Sequence, residues 1–201
     1  MLLEINPDTP EPRKIQRAVD LLRAGEIIAY PTDTVYGMGC DLLNKKALDK
    51  LYQLKGLSRS RLLSFMCQNL TDVSRYAMLE DRVFRLIKRH LPGPFCFILN
   101  ATREVPRVVQ SSRKTVGIRV PDHPVTQALL QELGHPIINT TATRPDAIPN
   151  LDPAEIDDEF QGLALVLDAG PGGTQPSSVV DFSHGEAVII REGAGDLQHF
   201  R

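Results

Sequence analysis

Short, continuously apolar runs alternate along this 201-residue chain with stretches whose apolar positions recur at helical spacing, and this alternation constrains the fold more than any other feature. Ile15, Ala18, Val19 and Leu22 mark one face of a helix over Pro10 to Arg23, which Gly25 ends. A strand over 26–30 stops at Pro31, which has no N–H to continue a ladder, and a second extended run covers Val35 to Leu43. Asn44 is placed to cap a helix whose buried stripe is Ala47, Leu48, Leu51 and Leu54. The same reasoning predicts helices over Asp81 to His90 and near 123–133, the second ending at Gly134. Strands are predicted over Leu62–Cys67, Phe95–Leu99, Thr115–Val120, Pro136–Thr141, Leu163–Asp168, Val179–Phe182 and Ala187–Ile190. The proline-bearing stretch Thr143 to Asp152 reads as irregular. Apolar strands separated by amphipathic helices imply an α/β sheet covered on both faces, and the paired runs near the C-terminus imply that some strands are antiparallel. We expect one domain over residues 1–201, since no linker, repeat or low-complexity tract divides the chain.

Composition narrows the function classes. The aromatic share is 5% with no tryptophan, which argues against a base-stacking surface. No apolar run approaches the roughly 20 residues that a membrane helix needs, and Met1 to Glu11 carries acids rather than a basic signal region. Cys40, Cys67 and Cys96 are isolated in apolar runs and read as reduced core cysteines of a cytoplasmic protein. The net charge of −2 hides an asymmetry. Residues 51–120 carry a net +9, and residues 121–201 a net −10. A basic middle calls for an anionic partner such as nucleotide, pyrophosphate or RNA, unless the two segments meet across the fold and neutralise each other.

Familiar motifs are absent. There is no phosphate-binding loop ending in Gly-Lys-Ser/Thr, no Gly-x-Gly-x-x-Gly opening a helix and no Gly-x-Ser-x-Gly elbow, and the five histidines lack metal-ligand spacing. Four constellations remain. Thr32 and Thr34 flank Asp33 just past a buried strand, with Gly37 and Gly39 following. Hydroxyls there are placed to meet a ligand, glycine lets backbone approach it, and a polar turn between strands would have the same pattern. Lys55, Arg59 and Arg61 lie in one loop with Ser58 and Ser60, a set able either to wrap phosphate oxygens or to face solvent. Thr115, Gly117 and Arg119 share one face of a period-two strand. A buried arginine there needs an anion, either a ligand carboxylate or a structural Asp or Glu. Asn139 to Thr143 ends a buried strand with the hydroxyls of Thr140, Thr141 and Thr143, so two polar clusters sit at strand ends, where α/β folds bind ligands.

These segments, in this order, resemble the YrdC/YciO family, whose best-known members make L-threonylcarbamoyl-adenylate for tRNA modification. The resemblance runs from about Ala24 to Gly193 and rests on Tyr30-Pro31-Thr32-Asp33-Thr34-Val35-Tyr36-Gly37, Leu91-Pro92-Gly93-Pro94, Thr115-Val116-Gly117-Ile118-Arg119-Val120-Pro121, Ser177-Ser178-Val179-Val180-Asp181 and Arg191-Glu192-Gly193. It implies a YrdC/RibB-like fold, a twisted mixed parallel and antiparallel sheet with flanking helices around a large, positively charged cavity. It also implies that threonine, bicarbonate and Mg²⁺-ATP are the substrates, the Mg²⁺ arriving with the nucleotide rather than in a dedicated protein site. By position, Arg119 and Thr34 would hold the amino acid, and Lys55 and Arg191 would face the phosphates. Thr32, Thr115, Thr141, Thr143 and Ser177 would line the cavity, and Arg59 and Arg61 would add nucleotide contacts.

The chain departs from the synthase pattern in places. Leu57 stands where a Lys-x-Arg pair has its arginine, Thr141 and Thr143 replace a Ser-x-Asn pair, and Met66 takes a position that is often histidine. This pattern resembles the YciO branch and implies weak or altered adenylate-forming activity. Two other expectations follow from the same residues. One is an RNA-binding module for tRNA or double-stranded RNA, without synthase activity. The other is an adenylate-forming enzyme with a different acyl group, such as carbamoyl.

Overall fold

A computed structural model describes residues 1–58, 63–106, 109, 114–145 and 147–201. In chain order its elements are β1 (Leu2–Glu4), α1 (Pro12–Arg23), β2 (Ile28–Tyr30), β3 (Gly37–Asp41), α2 (Lys45–Lys55), β4 (Ser64–Met66), α3 (Leu70–Tyr76), β5 (Ala77–Met78) and α4 (Asp81–Lys88). They continue with β6 (Phe95–Ala101), β7 (Thr115–Arg119), α5 (Pro124–Leu133), β8 (Ile137–Thr141), α6 (Pro153–Glu159), β9 (Leu165–Asp168), β10 (Ser178–Asp181) and β11 (Val188–Arg191). A short 3₁₀ turn covers Gln198–Phe200.

The helices begin and end where local chemistry directs. Asn44 accepts the N–H of Ala47 at 3.1 Å to open α2, and Gly56 closes it in the left-handed conformation at φ 65°. Pro12 and Pro124 occupy the first turns of α1 and α5, where a missing N–H costs nothing, and Gly134 ends α5 at φ 82°. The strands form one mixed sheet in the order β1-β9-β2-β3-β8-β4-β7-β6-β10-β11, with β5 added alongside β6. The β1–β9, β2–β9, β4–β7 and β6–β10 pairs are parallel. The β2–β3, β3–β8, β4–β8, β6–β7 and β10–β11 pairs are antiparallel. The mixed character expected from the paired C-terminal runs is therefore present, and Thr143–Asp152 contains no helix or strand among its described residues.

Alternation along each strand divides the core in two. Ile28, Tyr30, Met66 and Ile137 pack on one face against Ile15, Val19 and Leu22 of α1 and Val125, Leu129 and Leu133 of α5. Ala29, Phe65, Ile118 and Ile138 face the other way, against Ala47, Leu48 and Leu51 of α2 and Val83 and Ile87 of α4. Each fully buried aliphatic side chain contributes about 1.5–3 kcal/mol of transfer free energy. Among the described residues no ion pair joins the basic 51–120 segment to the acidic 121–201 segment. Among those residues, too, no helix is long and apolar enough to cross a membrane.

Candidate functional site

The sheet face that carries α1 and α5 is uncovered farther along, and there it floors a cavity of about 440 Å³. Asn139 of β8, Ser64 of β4 and Gly117 of β7 are direct cross-strand neighbours, and all three line it. Gly117 keeps the floor low: a Cβ there would stand 3.3 Å from the Cys96 sulfur and 3.6 Å from the Ser64 Cβ. Gly37 serves the next row. A Cβ at Gly37 would come within 2.5 Å of Asn139 Oδ1, the atom that accepts the buried Tyr30 hydroxyl at 2.7 Å. The Tyr30 hydroxyl is held in its neutral form by burial, so the Asn139 amide is oriented by a fixed donor.

Among the described residues, the charged side chains that line the cavity are Lys55, Arg119, Arg144 and Arg191, with no carboxylate among them. Arg119 ends β7 and is 4% exposed. Its Nη2 donates to Asp33 Oδ1 at 2.9 Å and to Thr34 Oγ1 at 3.0 Å. The Thr32 hydroxyl donates to the Val35 carbonyl at 2.7 Å, so the 3.2 Å contact between the two threonine hydroxyls is a donation from Thr34 to Thr32. Thr34 therefore has an acceptor lone pair free for the guanidinium, and the turn after β2 orients Arg119. The buried arginine has a structural carboxylate as its anion, and that carboxylate is Asp33.

Lys55 lies at the C-terminal end of α2, and Nζ reaches the end of β8, donating to the carbonyl of Thr141 at 2.7 Å and to that of Thr143. Burial pushes its pKa down to about 8, with Glu159 opposing the shift and Arg144 adding to it. Thr141 and Thr143 thus meet Lys55 through their backbone, while both residues also line the cavity. Arg144 stacks 4.5 Å above the Phe160 ring, which also lies 5.8 Å from Lys55 Nζ. Its Nε is paired with Glu159 at 3.2 Å, and Nη1 and Nη2 donate to the carbonyls of Leu54 and Glu159. Arg191, on β11, donates from Nε and Nη2 to the Ser177 carbonyl at 3.0 and 2.8 Å, and Ser177 lines the cavity beside it.

Lys55, Arg119, Thr141, Thr143, Ser177 and Arg191 are thus brought together around one cavity. Thr32 and Thr34 stand behind Arg119 and reach the cavity through it. Thr115 shares the face of Gly117 and Arg119, but at the far end of β7 opposite Asn100, outside the cavity lining. Arg59 and Arg61 lie outside the described residues. Sequence reasoning missed Arg144, Ser64 and Phe160. It also missed Asp33 as a partner, although the demand for an anion beside Arg119 was the signal that could have found it.

Comparison with known proteins finds relatives over nearly the whole chain. The Sua5/YciO/YrdC family model, described as "Telomere recombination", matches residues 20–193. The Escherichia coli protein named "Uncharacterized protein YciO" is 38% identical over 98% of this chain and 97% of its own length. The crystal structure of E. coli YciO superposes with a TM-score of 0.96, covering 100% of this chain and 99% of that one. Threonylcarbamoyl-AMP synthase of Bos taurus is 36% identical over 89% of this chain and 67% of its own length. Sua5 of P. abyssi, solved with L-threonine, matches with a TM-score of 0.89 at 25% identity, over 96% of this chain and 57% of that one. The strand order, the threonine turn behind Arg119 and the likeness over nearly the full length have one reading: this chain belongs to the Sua5/YciO/YrdC family.

Proposed function

We propose that this protein binds ATP and threonine in the cavity and, with bicarbonate, forms L-threonylcarbamoyl-adenylate for tRNA threonylcarbamoyladenosine modification. The observation that carries this reading is the charged lining: four cations and, among the described residues, no carboxylate. A relative named threonylcarbamoyl-AMP synthase and a Sua5 structure with L-threonine support it. In the proposed reaction the carbamate oxygen of N-carboxylated threonine attacks the α-phosphorus of ATP, and the bond to pyrophosphate breaks. No protein nucleophile is required, so positioning and charge stabilisation carry the catalysis. Arg119 holds the threonine carboxylate, while Lys55 and Arg191 face the nucleotide phosphates and neutralise the departing pyrophosphate. In this reading Mg²⁺ enters on the phosphates with its own waters rather than in a dedicated protein site. Bound there, Mg²⁺ would add neutralising charge to the pyrophosphate.

Leu57 lines the cavity as an apolar residue beside Lys55, and the threonines at 141 and 143 offer fewer donors than a Ser-x-Asn pair. Removing one preorganised donor costs about a hundredfold to a thousandfold in rate. We therefore expect slow turnover. Purified protein incubated with Mg²⁺-ATP, bicarbonate and threonine should yield threonylcarbamoyl-adenylate by mass spectrometry, and Lys55→Ala should abolish it. No product with threonine but turnover with carbamoyl phosphate would replace threonine by another acyl donor.

A second reading has support from α4. Arg82, Arg85 and Lys88 on that helix and Arg89 at its C-cap are exposed, and no ion pair engages them among the described residues. Such a basic row suits contact with RNA phosphates, as in tRNA or a duplex. A salt-sensitive RNA affinity lost on charge reversal of Arg82 and Arg85, with cavity binding intact, would place RNA contact on α4.

A further inference from the structure

A polar chain of three side chains runs from the core to the cavity floor, and the proposed reaction leaves it unused. The Tyr30 hydroxyl donates to Asn139 Oδ1 at 2.7 Å, and Asn139 Nδ2 donates to Ser64 Oγ at 3.4 Å. The direction of this chain is set from its buried end. Tyr30 is fully buried and held neutral, so its hydroxyl donates, the amide oxygen accepts, and the amide nitrogen is turned toward Ser64. Ser64 Oγ receives that N–H and has its own proton to give. Its acceptor among the described residues is the Asn139 carbonyl at 3.3 Å, well beyond the usual O–H···O length of about 2.7–2.8 Å. Ser64 is half-buried and lines the cavity, on the face it shares with Asn139 and Gly117, so a ligand oxygen at ordinary distance would take the proton from that weak bond.

Register places this hydroxyl between the cations. Arg119 lies in the row of Met66 and Ile137, and Ser64 lies in the row of Asn139 and Gly117. Thr141, whose carbonyl holds Lys55 Nζ, belongs to the next row along β8. Successive rows on one face are two residues, or about 7 Å, apart, so the Ser64 row stands midway between the rows of Arg119 and of the Lys55 anchor. A ligand with a carboxylate on Arg119 and phosphates on Lys55 carries the group that joins them across Ser64. The arginine and the lysine select its charged ends, and the neutral donor between them suits the carbonyl oxygen of an acyl group.

We infer that Ser64 donates a hydrogen bond to the acyl oxygen carried on the ligand's amino nitrogen, with Asn139 and Tyr30 as positioning residues that hold the hydroxyl in its donating sense. This rests on the proposed reading of the cavity and adds a requirement to it: the acyl group is recognised by its own donor, separately from the carboxylate and the phosphates. Ser64 neither attacks nor transfers its proton; it seats the oxygen.

The test compares L-threonine with N-carbamoyl-L-threonine, a stable compound whose ureido carbonyl stands where the carbamate carbonyl would form. Titration calorimetry is run on the wild-type protein, Ser64→Ala, Ser64→Thr and Tyr30→Phe, with circular dichroism to confirm each fold. The wild type should bind N-carbamoyl-L-threonine more tightly by about twofold to tenfold, the factor carried by one neutral hydrogen bond. Ser64→Ala should lose that preference and leave threonine affinity unchanged, while Ser64→Thr, which keeps the hydroxyl, should retain it. Tyr30→Phe, which frees the Asn139 amide to turn, should reduce the preference in the same way. If Ser64→Ala weakens both ligands alike, the serine is only part of the floor and the inference is overturned. A wild type that binds threonine without preferring its carbamoyl derivative overturns it as well, and leaves the amino-acid reading of the cavity standing. Should Tyr30→Phe not fold, the two Ser64 variants still decide the matter. A wild type that binds neither compound sinks the amino-acid reading itself.

Discussion

On the proposed reading of the cavity, Lys55 meets two opposing demands: it must stay buried against the end of β8, and it must keep a positive charge for phosphate. Burial has lowered its pKa to about 8, close enough to neutrality to be read out by titration. Nucleotide affinity should therefore fall as pH rises through about 8, and Lys55→Arg should remove that inflection, since a guanidinium stays charged throughout. The effect on stability has the opposite sense. Between about pH 8 and the ordinary lysine value of 10.5 the unfolded chain holds this proton and the folded protein does not. The unfolded state then binds more protons, so the contribution of Lys55 to stability rises with pH across that window. Chemical denaturation at pH 7, 9 and 10.5 on the wild type and Lys55→Met would isolate this term. At this scale the sequence was partly legible. Period-two spacing placed Gly117 and Arg119 on one face, and burial required an anion for the arginine. Which carboxylate would answer was not legible, because Asp33 lies 86 positions away and meets Arg119 only through the folded sheet.

Among the helices, legibility followed length. The helices α1, α2 and α5 have enough turns to display a repeating apolar stripe, and their caps are ordinary Pro, Asn and Gly signals. The strand β1, with three residues, and the seven-residue α3 and α6 went unpredicted, since α3 buries only Val73 and Tyr76 and α6 only Pro153 and Ile156. Two such positions do not establish a period. Replacing the α2 cap, Asn44→Ala, should cost about 0.5–2 kcal/mol in denaturant unfolding. Some of that loss should reach the site, because α2 delivers Lys55 from its other end. Gly117→Val on β7 makes the complementary point. Its Cβ would meet the Cys96 sulfur at 3.3 Å, a side chain able to shift by a few tenths of an ångström, while the added methyls would project over the cavity floor. Thermal unfolding should move little, and nucleotide and amino-acid binding should both be lost.

Across the whole molecule, the charge asymmetry of the sequence foreshadowed the cavity only in part. Of the four lining cations among the described residues, Lys55 and Arg119 come from the basic middle, but Arg144 and Arg191 come from the acidic segment. Net charge by segment therefore did not locate the site; strand order did, and strand order depends on register between distant stretches. That order has a kinetic consequence. Strand β9 lies between β1 and β2, and β8 lies between β3 and β4, so the two neighbours of the Asn139 strand are supplied by chain made about 100 and about 75 residues earlier. Loops that long must close before their contacts stabilise anything, which slows folding. On the ribosome the cavity cannot exist until Arg191 has emerged. A ligand bound there would act as a seal on the finished sheet, lowering hydrogen exchange in β3, β8, β4 and β7 together rather than in the loops it touches.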